Sequence, residues 1–319
     1  MPDSVPGLYE ALITERLTSD LSVIGEGLHV VRDELRHPEA PDRIALHLGR
    51  VVERAVQRFN SNERAHQGAA LAQQIIELIR TFTGDETVLR DRPVAPGQVL
   101  RAIQRVMPDG QPATLHEPQT PLLDTTLLTN APSEPRVGAQ ILSEIDSADR
   151  IDVIMAFVRM SGIRPLLQAL RRHCESNRIL RVLTTTYTGS TELTALQELE
   201  RIGAHVRVSY DTSGTRLHAK SWLFHRTSGY STAYVGSSNL THQAQVTGLE
   251  WNVRISGVRN PDVTRQIEAI FESYWNNQDF RPFESVQFLE NTRAARTANY
   301  SISIPPTELR PEPFQTRLL

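Results

Sequence analysis

Four polar residues in the second half of the chain have side chains suited to phosphoryl transfer. His218 and Lys220 lie two residues apart in an otherwise apolar stretch, and Asn239 and Glu250 follow. An imidazole is a nucleophile near neutral pH, and an ammonium group is a fixed cation for phosphate oxygens. The amide is a neutral donor, and a carboxylate can orient an imidazole. Together these groups predict phosphoryl transfer through a covalent phosphohistidine.

The apolar stretch that carries the first two groups, Leu217 to Phe224, is typical of a β-strand. Residues two apart on a strand share a face, so His218 and Lys220 are expected side by side. A buried lysine without a partner is costly, so this strand should border a polar cleft. Trp222 lies on the same face by alternation, and we predict that it and Phe224 pack in the core.

The order of these residues resembles the active-site signature of the phospholipase D superfamily. The motifs are His218-x-Lys220, then Gly236-Ser237-x-Asn239, then Glu250. The resemblance covers roughly residues 121 to 275, and it is closest to the metal-independent phospholipase D-like nucleases. These include restriction endonucleases and nuclease domains joined to helicases. All three motifs in order are a specific signal, whereas any two would be weak.

The resemblance implies a role for each residue. His218 would attack the phosphorus, Lys220 and Asn239 would stabilise charge on the non-bridging oxygens, and Glu250 would hold the other ring nitrogen. Ser237 is a candidate phosphate contact, with a turn-forming role as its alternative. The chain has one such motif, so the second imidazole must come from another subunit, which predicts a homodimer with a shared site. No metal or other cofactor is expected, because lysine and asparagine supply the stabilisation.

One position departs from the family pattern. The family usually has an aspartate five residues after the lysine, and this chain has His225 there. In the family, that aspartate mostly supports the fold and orients the histidine. Its replacement by His225 therefore bears on catalytic activity and not on the predicted fold. A zinc site formed by His225, His242 and His218 is not favoured, because the spacing is not ligand-like and no cysteine accompanies them.

Three functions follow as hypotheses. The first is a nuclease that hydrolyses nucleic acid, with DNA as the expected form, in a helicase-linked restriction or defence protein. The second is a catalytically silent phospholipase D-fold module for DNA binding or dimerisation, supported by His225. The third is a phospholipase acting on lipid, which a single motif and the lack of a membrane-binding stripe disfavour.

The composition is that of an ordinary globular protein of 319 residues with a formal net charge of −3. A nuclease would need its positive charge focused locally, and the pair Arg171-Arg172 would not supply it alone. Cys174 is the only cysteine, so no intrachain disulfide is possible. The amino terminus does not resemble a signal peptide and no apolar run reaches ~18 residues, so we expect a cytoplasmic protein without a membrane span.

The pattern along the chain predicts three regions: a helical domain at 1–115, a catalytic domain at 116–285 and a linker at 286–319. In the first, apolar residues recur at helical spacing, which predicts three to five helices. In the second, strands and helices alternate, which predicts an α/β fold. The predicted fold class is therefore α/β, a phospholipase D-like layered α/β/α mixed sheet preceded by an all-α helical domain.

The end of the chain carries a further short motif. From Leu309 to Leu319 it resembles the segment that opens a superfamily 2 helicase core, where an aromatic residue and a glutamine, here Phe314 and Gln315, precede the first helix. This predicts a helicase domain as a partner in a longer chain. A plain disordered tail is the alternative.

Overall fold

The computed structural model of the chain describes most of its residues. The described ranges are 6–25, 27–112, 117–131, 136–187, 189–211, 217–241 and 250–300, with side chains up to residue 293. The chain falls into two compact units, Met1–Ile103 and Gln104–Leu319. The boundary predicted at residue 115 lies inside the second unit.

The first unit is helical. Its elements are α1 (Glu15–Ser22), α2 (Ala40–Gln57), α3 (Arg64–Thr83) and a short 3-10 helix (Glu86–Asp91). Thr14 caps α1 by accepting the Leu17 N–H at 3.1 Å. Gly84 ends α3 in the left-handed conformation that glycine adopts without strain. Ala69 is the one apolar residue that is buried among the described part of this unit, so the apolar stripes of the helices stay largely exposed.

The second unit is built on a mixed eight-stranded sheet. The strands are β1 (Thr126–Leu128), β2 (Arg150–Met155), β3 (Ile179–Thr185), β4 (His205–Ser209), β5 (Lys220–His225), β6 (Thr232–Gly236), β7 (Asn252–Ser256) and β8 (Phe280–Pro282). Their order is β1-β7-β6-β5-β2-β3-β4-β8. The β2-β3-β4 pairings are parallel and the others are antiparallel.

Helices cover both faces of this sheet. They are α4 (Val137–Ile145), α5 (Met160–Ile163), α6 (Leu167–Glu175), α7 (Leu193–Arg201), α8 (Pro261–Trp275) and α9 (Ser285–Tyr300). Val153, Trp222 and Phe224 belong to the larger core on one face. Ile154 packs with Phe271 of α8 on the other. The predicted α/β/α layered fold is confirmed, and the burial of β2 on both faces fits the apolar run Val153-Ile154-Met155 at its end.

Two helices lie where the sequence predicted none. Helix α4 follows the proline-rich stretch. Helix α9 occupies the start of the segment that was expected to be a linker from residue 286, and the buried Phe288 packs edge-to-face on Phe283. The helicase-like motif at the end of the chain lies outside the described residues.

Candidate active site

His218 precedes β5 and is exposed, and Lys220 is the first residue of that strand. The prediction that both lie inside the strand was therefore wrong for His218. The reason is that β2, the partner of β5, ends at Met155, which is opposite Lys220, so the ladder has no partner for the residues before it. His218 is free of the sheet while Lys220 is fixed by it.

The two side chains nevertheless meet. The Lys220 ammonium lies 2.9 Å from Nδ1 and 3.2 Å from Nε2 of His218, and it donates to the His218 carbonyl oxygen at 2.6 Å. The contact therefore places the candidate nucleophile and the candidate cation of phosphoryl transfer together.

Lys220 is buried, with 7% of its surface exposed. Burial lowers the pKa of its ammonium below the ordinary 10.5, against the opposing effect of the Glu250 carboxylate. Lys220 is also the only lysine in the chain. A residue type that occurs once is a signal for a special role, independent of the motif.

Asn239 follows the end of β6 and lines a small cavity with Lys220. Its Oδ1 accepts the backbone N–H of Phe157 at 3.3 Å. The strand leading to it requires glycine at position 236, because a Cβ there would lie 2.7 Å from the Cα of Asn252 on β7. The structure thus brings Asn239 and Lys220 to one cavity.

Glu250 and Ser237 contact each other. The Ser237 hydroxyl donates to the Glu250 carboxylate, and it also accepts the backbone N–H of Trp251 at 3.1 Å. Among the described contacts, Glu250 makes no direct bond to the His218 ring. Its negative charge raises the pKa of the Lys220 ammonium, against the larger effect of burial. The predicted roles of Glu250 as ring partner and Ser237 as phosphate contact therefore remain predictions.

Two further residues at the site were missed by the sequence reasoning. Asn252 is buried, lines the same cavity as Lys220 and donates to the Ser238 hydroxyl at 2.6 Å. No pattern in the sequence marks it, because β7 also carries the polar residues Arg254 and Ser256. Phe157 packs its ring edge-to-face on the His218 imidazole, with centroids 5.9 Å apart, and no pattern in the sequence marks it.

His225 lies on the opposite face of the sheet from Lys220 and belongs to an ion network. Its Nε2 lies 2.7 Å from Oδ2 of the buried Asp152 on β2. Arg181 holds the same carboxylate through two hydrogen bonds of 2.7 and 2.8 Å, and it reaches Glu272 of α8 at 2.6 Å. Burial would raise the pKa of Asp152, but His225 and Arg181 outweigh it and hold the pKa below its ordinary value. The network ties α8 to the sheet through the contact of Arg181 with Glu272.

A second buried cluster centres on Glu144 of α4. Its carboxylate accepts from Arg226, from Arg254 at 2.8 Å, from Thr232 at 2.8 Å and from Tyr234 at 3.0 Å. Burial would raise the pKa of Glu144, but the two guanidinium groups outweigh it and lower the pKa. Arg254 also donates to the carbonyl oxygens of residues 120, 121 and 124. The cluster therefore joins α4 to the end of β5, to β6 and to β7. Through Arg254 it also holds residues 120–124, which precede β1.

Comparisons with known proteins identify the family that the second unit resembles. Residues 141–275 match the family model described as "Cardiolipin synthase, PLD-like domain". That range contains the sheet from β2 to β7 and every candidate site residue. This part of the chain is a phospholipase D-like domain.

Solved structures similar to the phospholipase D-like domain include Nuc, a phospholipase D family member from Salmonella typhimurium, at 19% identity and a TM-score of 0.39. NucT from Helicobacter pylori matches at 12% identity and a TM-score of 0.41. Each match covers 50% of this chain and 99% of the other. Polyphosphate kinase from Porphyromonas gingivalis matches at 18% identity and a TM-score of 0.37, over 59% of this chain and 34% of the kinase. No curated protein matches the sequence.

Two surface features bear on partners. Arg171 pairs with Glu198 at 3.5 Å and Arg172 with Asp146 at 2.9 Å, so acidic neighbours offset the one arginine pair noted in the sequence. Across the described ranges, no helix combines the length and the apolar character that crossing a bilayer requires.

Replacing Lys220 with methionine is expected to remove activity while leaving the fold as stable as before or more so. The folded-state pKa is lowered, so the ammonium costs stability at neutral pH, and this cost disappears as pH rises through the lowered pKa toward 10.5. The stability advantage of the variant should therefore be largest near neutral pH and shrink in alkali. Urea unfolding from pH 7 to 10.5 measures it, and a clear loss of stability at pH 7 would contradict the assignment.

Proposed function

We propose that this chain is a metal-independent phosphodiesterase that hydrolyses nucleic acid, with DNA as the expected substrate, through a phosphohistidine on His218. The observation that carries the proposal is the contact of an exposed imidazole with a buried, desolvated ammonium group at 2.9 Å, beside Asn239, in a phospholipase D-like domain. A nucleophile and a cation fixed by the sheet are the two groups that phosphoryl transfer needs first.

The reaction would proceed in two displacements. A ring nitrogen of His218 forms a bond to phosphorus, and the bond to the leaving oxygen breaks as a second imidazole gives that oxygen its proton. Water, deprotonated by the second imidazole, then attacks phosphorus and releases His218. Lys220 and the Asn239 amide balance the charge on the non-bridging oxygens in both steps.

The second imidazole must come from a second copy of the chain, because the chain has one such motif. An uncovered row of apolar side chains offers a surface for such a contact, on the opposite face of the sheet from Lys220, because Val235 lies opposite Ser221 in the register. Leu127, Val253 and Val235 lie opposite one another on β1, β7 and β6, and they are 44%, 41% and 40% exposed. The row ends beside Gly236 and Trp251, and the latter is 67% exposed next to Glu250. A contiguous apolar face of this kind fits a self-complementary twofold contact.

Placing a charge in this row is expected to separate the two copies. Val253→Asp puts a carboxylate in the middle of the row, which an interface would have to desolvate, so the dimer should dissociate and activity should fall with it. Val258→Asp is the matched control, because Val258 is 46% exposed in the turn after β7 and outside the row. Sedimentation velocity measures the result. A Val253→Asp protein that stays dimeric, or a wild-type protein that is monomeric and active, would contradict the placement.

The covalent intermediate gives the most specific test of the chemistry. Labelled oligonucleotide mixed with the protein in EDTA and quenched in alkali should leave label on a peptide containing His218, and acid should release it, because a phosphorus–nitrogen bond is acid-labile. Absence of a histidine adduct in a protein that cleaves DNA would exclude the mechanism.

A lipid substrate is the second candidate, because the matching family model carries the name of a cardiolipin synthase. Phosphatidylglycerol vesicles assayed beside plasmid DNA distinguish the two. The catalytically silent alternative rests on His225, which contacts Asp152 on the face of the sheet opposite Lys220.

A further inference from the structure

We infer that Phe157 is a positioning residue that fixes the His218 ring and the Asn239 amide relative to each other. Phe157 lies two residues after the end of β2, outside every motif, yet it contacts both groups. The effect expected on catalysis rests on the proposed function. The effect expected on the NMR signals of His218 rests on the geometry alone.

The backbone of Phe157 determines which end of the Asn239 amide is available. Its N–H donates to Asn239 Oδ1 at 3.3 Å, and its carbonyl oxygen accepts the Leu240 N–H at 3.2 Å. A side-chain amide has one oxygen that accepts and one NH₂ group that donates. With the oxygen engaged by the backbone, the NH₂ group points the other way and is the donor that a phosphate oxygen requires.

The segment after Phe157 packs closely against residues 240 and 241, which directly follow Asn239. Val158 pairs with Leu240 in an isolated parallel bridge. Gly162 of α5 lies so close to this backbone that a Cβ would collide with the Leu240 carbonyl group and the Thr241 nitrogen. Only glycine allows this approach. Phe157 is thus held rigidly against the segment that carries Asn239.

The ring of Phe157 acts on His218. The two rings lie at 72° with centroids 5.9 Å apart, which is a favoured edge-to-face arrangement. His218 lies before the strand, so no ladder hydrogen bond fixes it, and its described contacts are those with Lys220 and Phe157. The ring of Phe157 therefore restricts the orientation of the His218 imidazole, and the backbone of the same residue holds the Asn239 amide.

The test compares Phe157→Leu with a matched control. Phe283 packs on Phe288 at the same 5.9 Å and 72°, in the larger core and outside every contact of the site, so Phe283→Leu removes an equal ring contact elsewhere. Phe157→Leu is expected to lower kcat about tenfold with little change in KM, because misplaced catalytic groups lose rate. Phe157→Tyr keeps the ring and should restore kcat. Phe283→Leu should alter stability and leave the kcat of the folded protein unchanged.

Proton NMR of the His218 ring supplies a readout that needs no substrate, with its signals identified by their loss in His218→Ala. Phe157→Leu should shift these signals by removing the ring current of the phenyl group, and Phe283→Leu should leave them in place. Equal effects of both leucine variants on kcat and on the His218 signals would overturn the inference. If the wild-type protein cleaved no nucleic acid, the proposed function would fail, and the NMR comparison would still decide the role of Phe157.

Discussion

Replacing His218 with alanine is expected to reduce cleavage of plasmid DNA in EDTA by about a thousandfold or more, because the variant loses the group that forms the bond to phosphorus. The expected cost to stability is small, since His218 is exposed and lies outside the ladder of β5. The measurement is the initial rate of nicking with the chelator present, together with the urea midpoint of each protein.

His205→Ala is the matched control for this variant. His205 is an exposed histidine at the start of β4, outside the contacts described for the site, so its loss should leave cleavage unchanged. If His218→Ala retained chelator-resistant cleavage, His218 would not be the nucleophile. If neither protein cleaved DNA and wild type also failed, the silent module would be favoured.

Replacing Glu144 with glutamine is expected to destabilise the second unit by about 3–5 kcal/mol, because two buried guanidinium groups lose their shared carboxylate. The sign of the pH dependence follows from the lowered pKa of Glu144. Its stabilising contribution is present above the ordinary pKa of 4.5 and is lost as pH falls through the folded-state pKa. The gap in unfolding free energy between wild type and variant should therefore close in acid.

Glu198→Gln is the control for the loss of a carboxylate. Glu198 also bridges two arginines, Arg201 and Arg171, but at the surface, where solvent screens such pairs, so little change in stability is expected. Urea unfolding at pH 7 and pH 4 measures both variants. Equal effects of the two substitutions at pH 7 would show that burial of the Glu144 cluster does not determine its strength.

The sequence was sufficient for the alternation of strands and helices in the second unit, and it pointed to Lys220 and Asn239 but not to Asn252 or Phe157. The predicted alternation is present as β2, β3 and β4 with α5, α6 and α7 between them. His218 was misplaced because the end of a strand depends on where its partner ends, and Met155 is 65 residues away in sequence from Lys220. Local patterns contain no information about that register.

The two ion networks show the same limit. Glu144 reads as one carboxylate on a helix, and its partners Arg226 and Arg254 lie far along the chain. His225 reads as the loss of an aspartate, until the fold brings Asp152 of the neighbouring strand to it. Lys220 as the sole lysine is, like the three ordered motifs, a signal that the sequence offers without any knowledge of the fold.

The central claim is that two copies of His218, one from each protomer, act on one phosphorus atom, and mixed dimers test it most directly. Wild-type and His218→Ala chains are refolded together in varying ratio and assayed for cleavage in EDTA. A shared site needs both imidazoles, so activity should follow the square of the wild-type fraction, and an equal mixture should retain about one quarter of it. Activity that falls in simple proportion to the wild-type fraction, leaving about one half in the equal mixture, would show that each protomer works alone and would contradict the account.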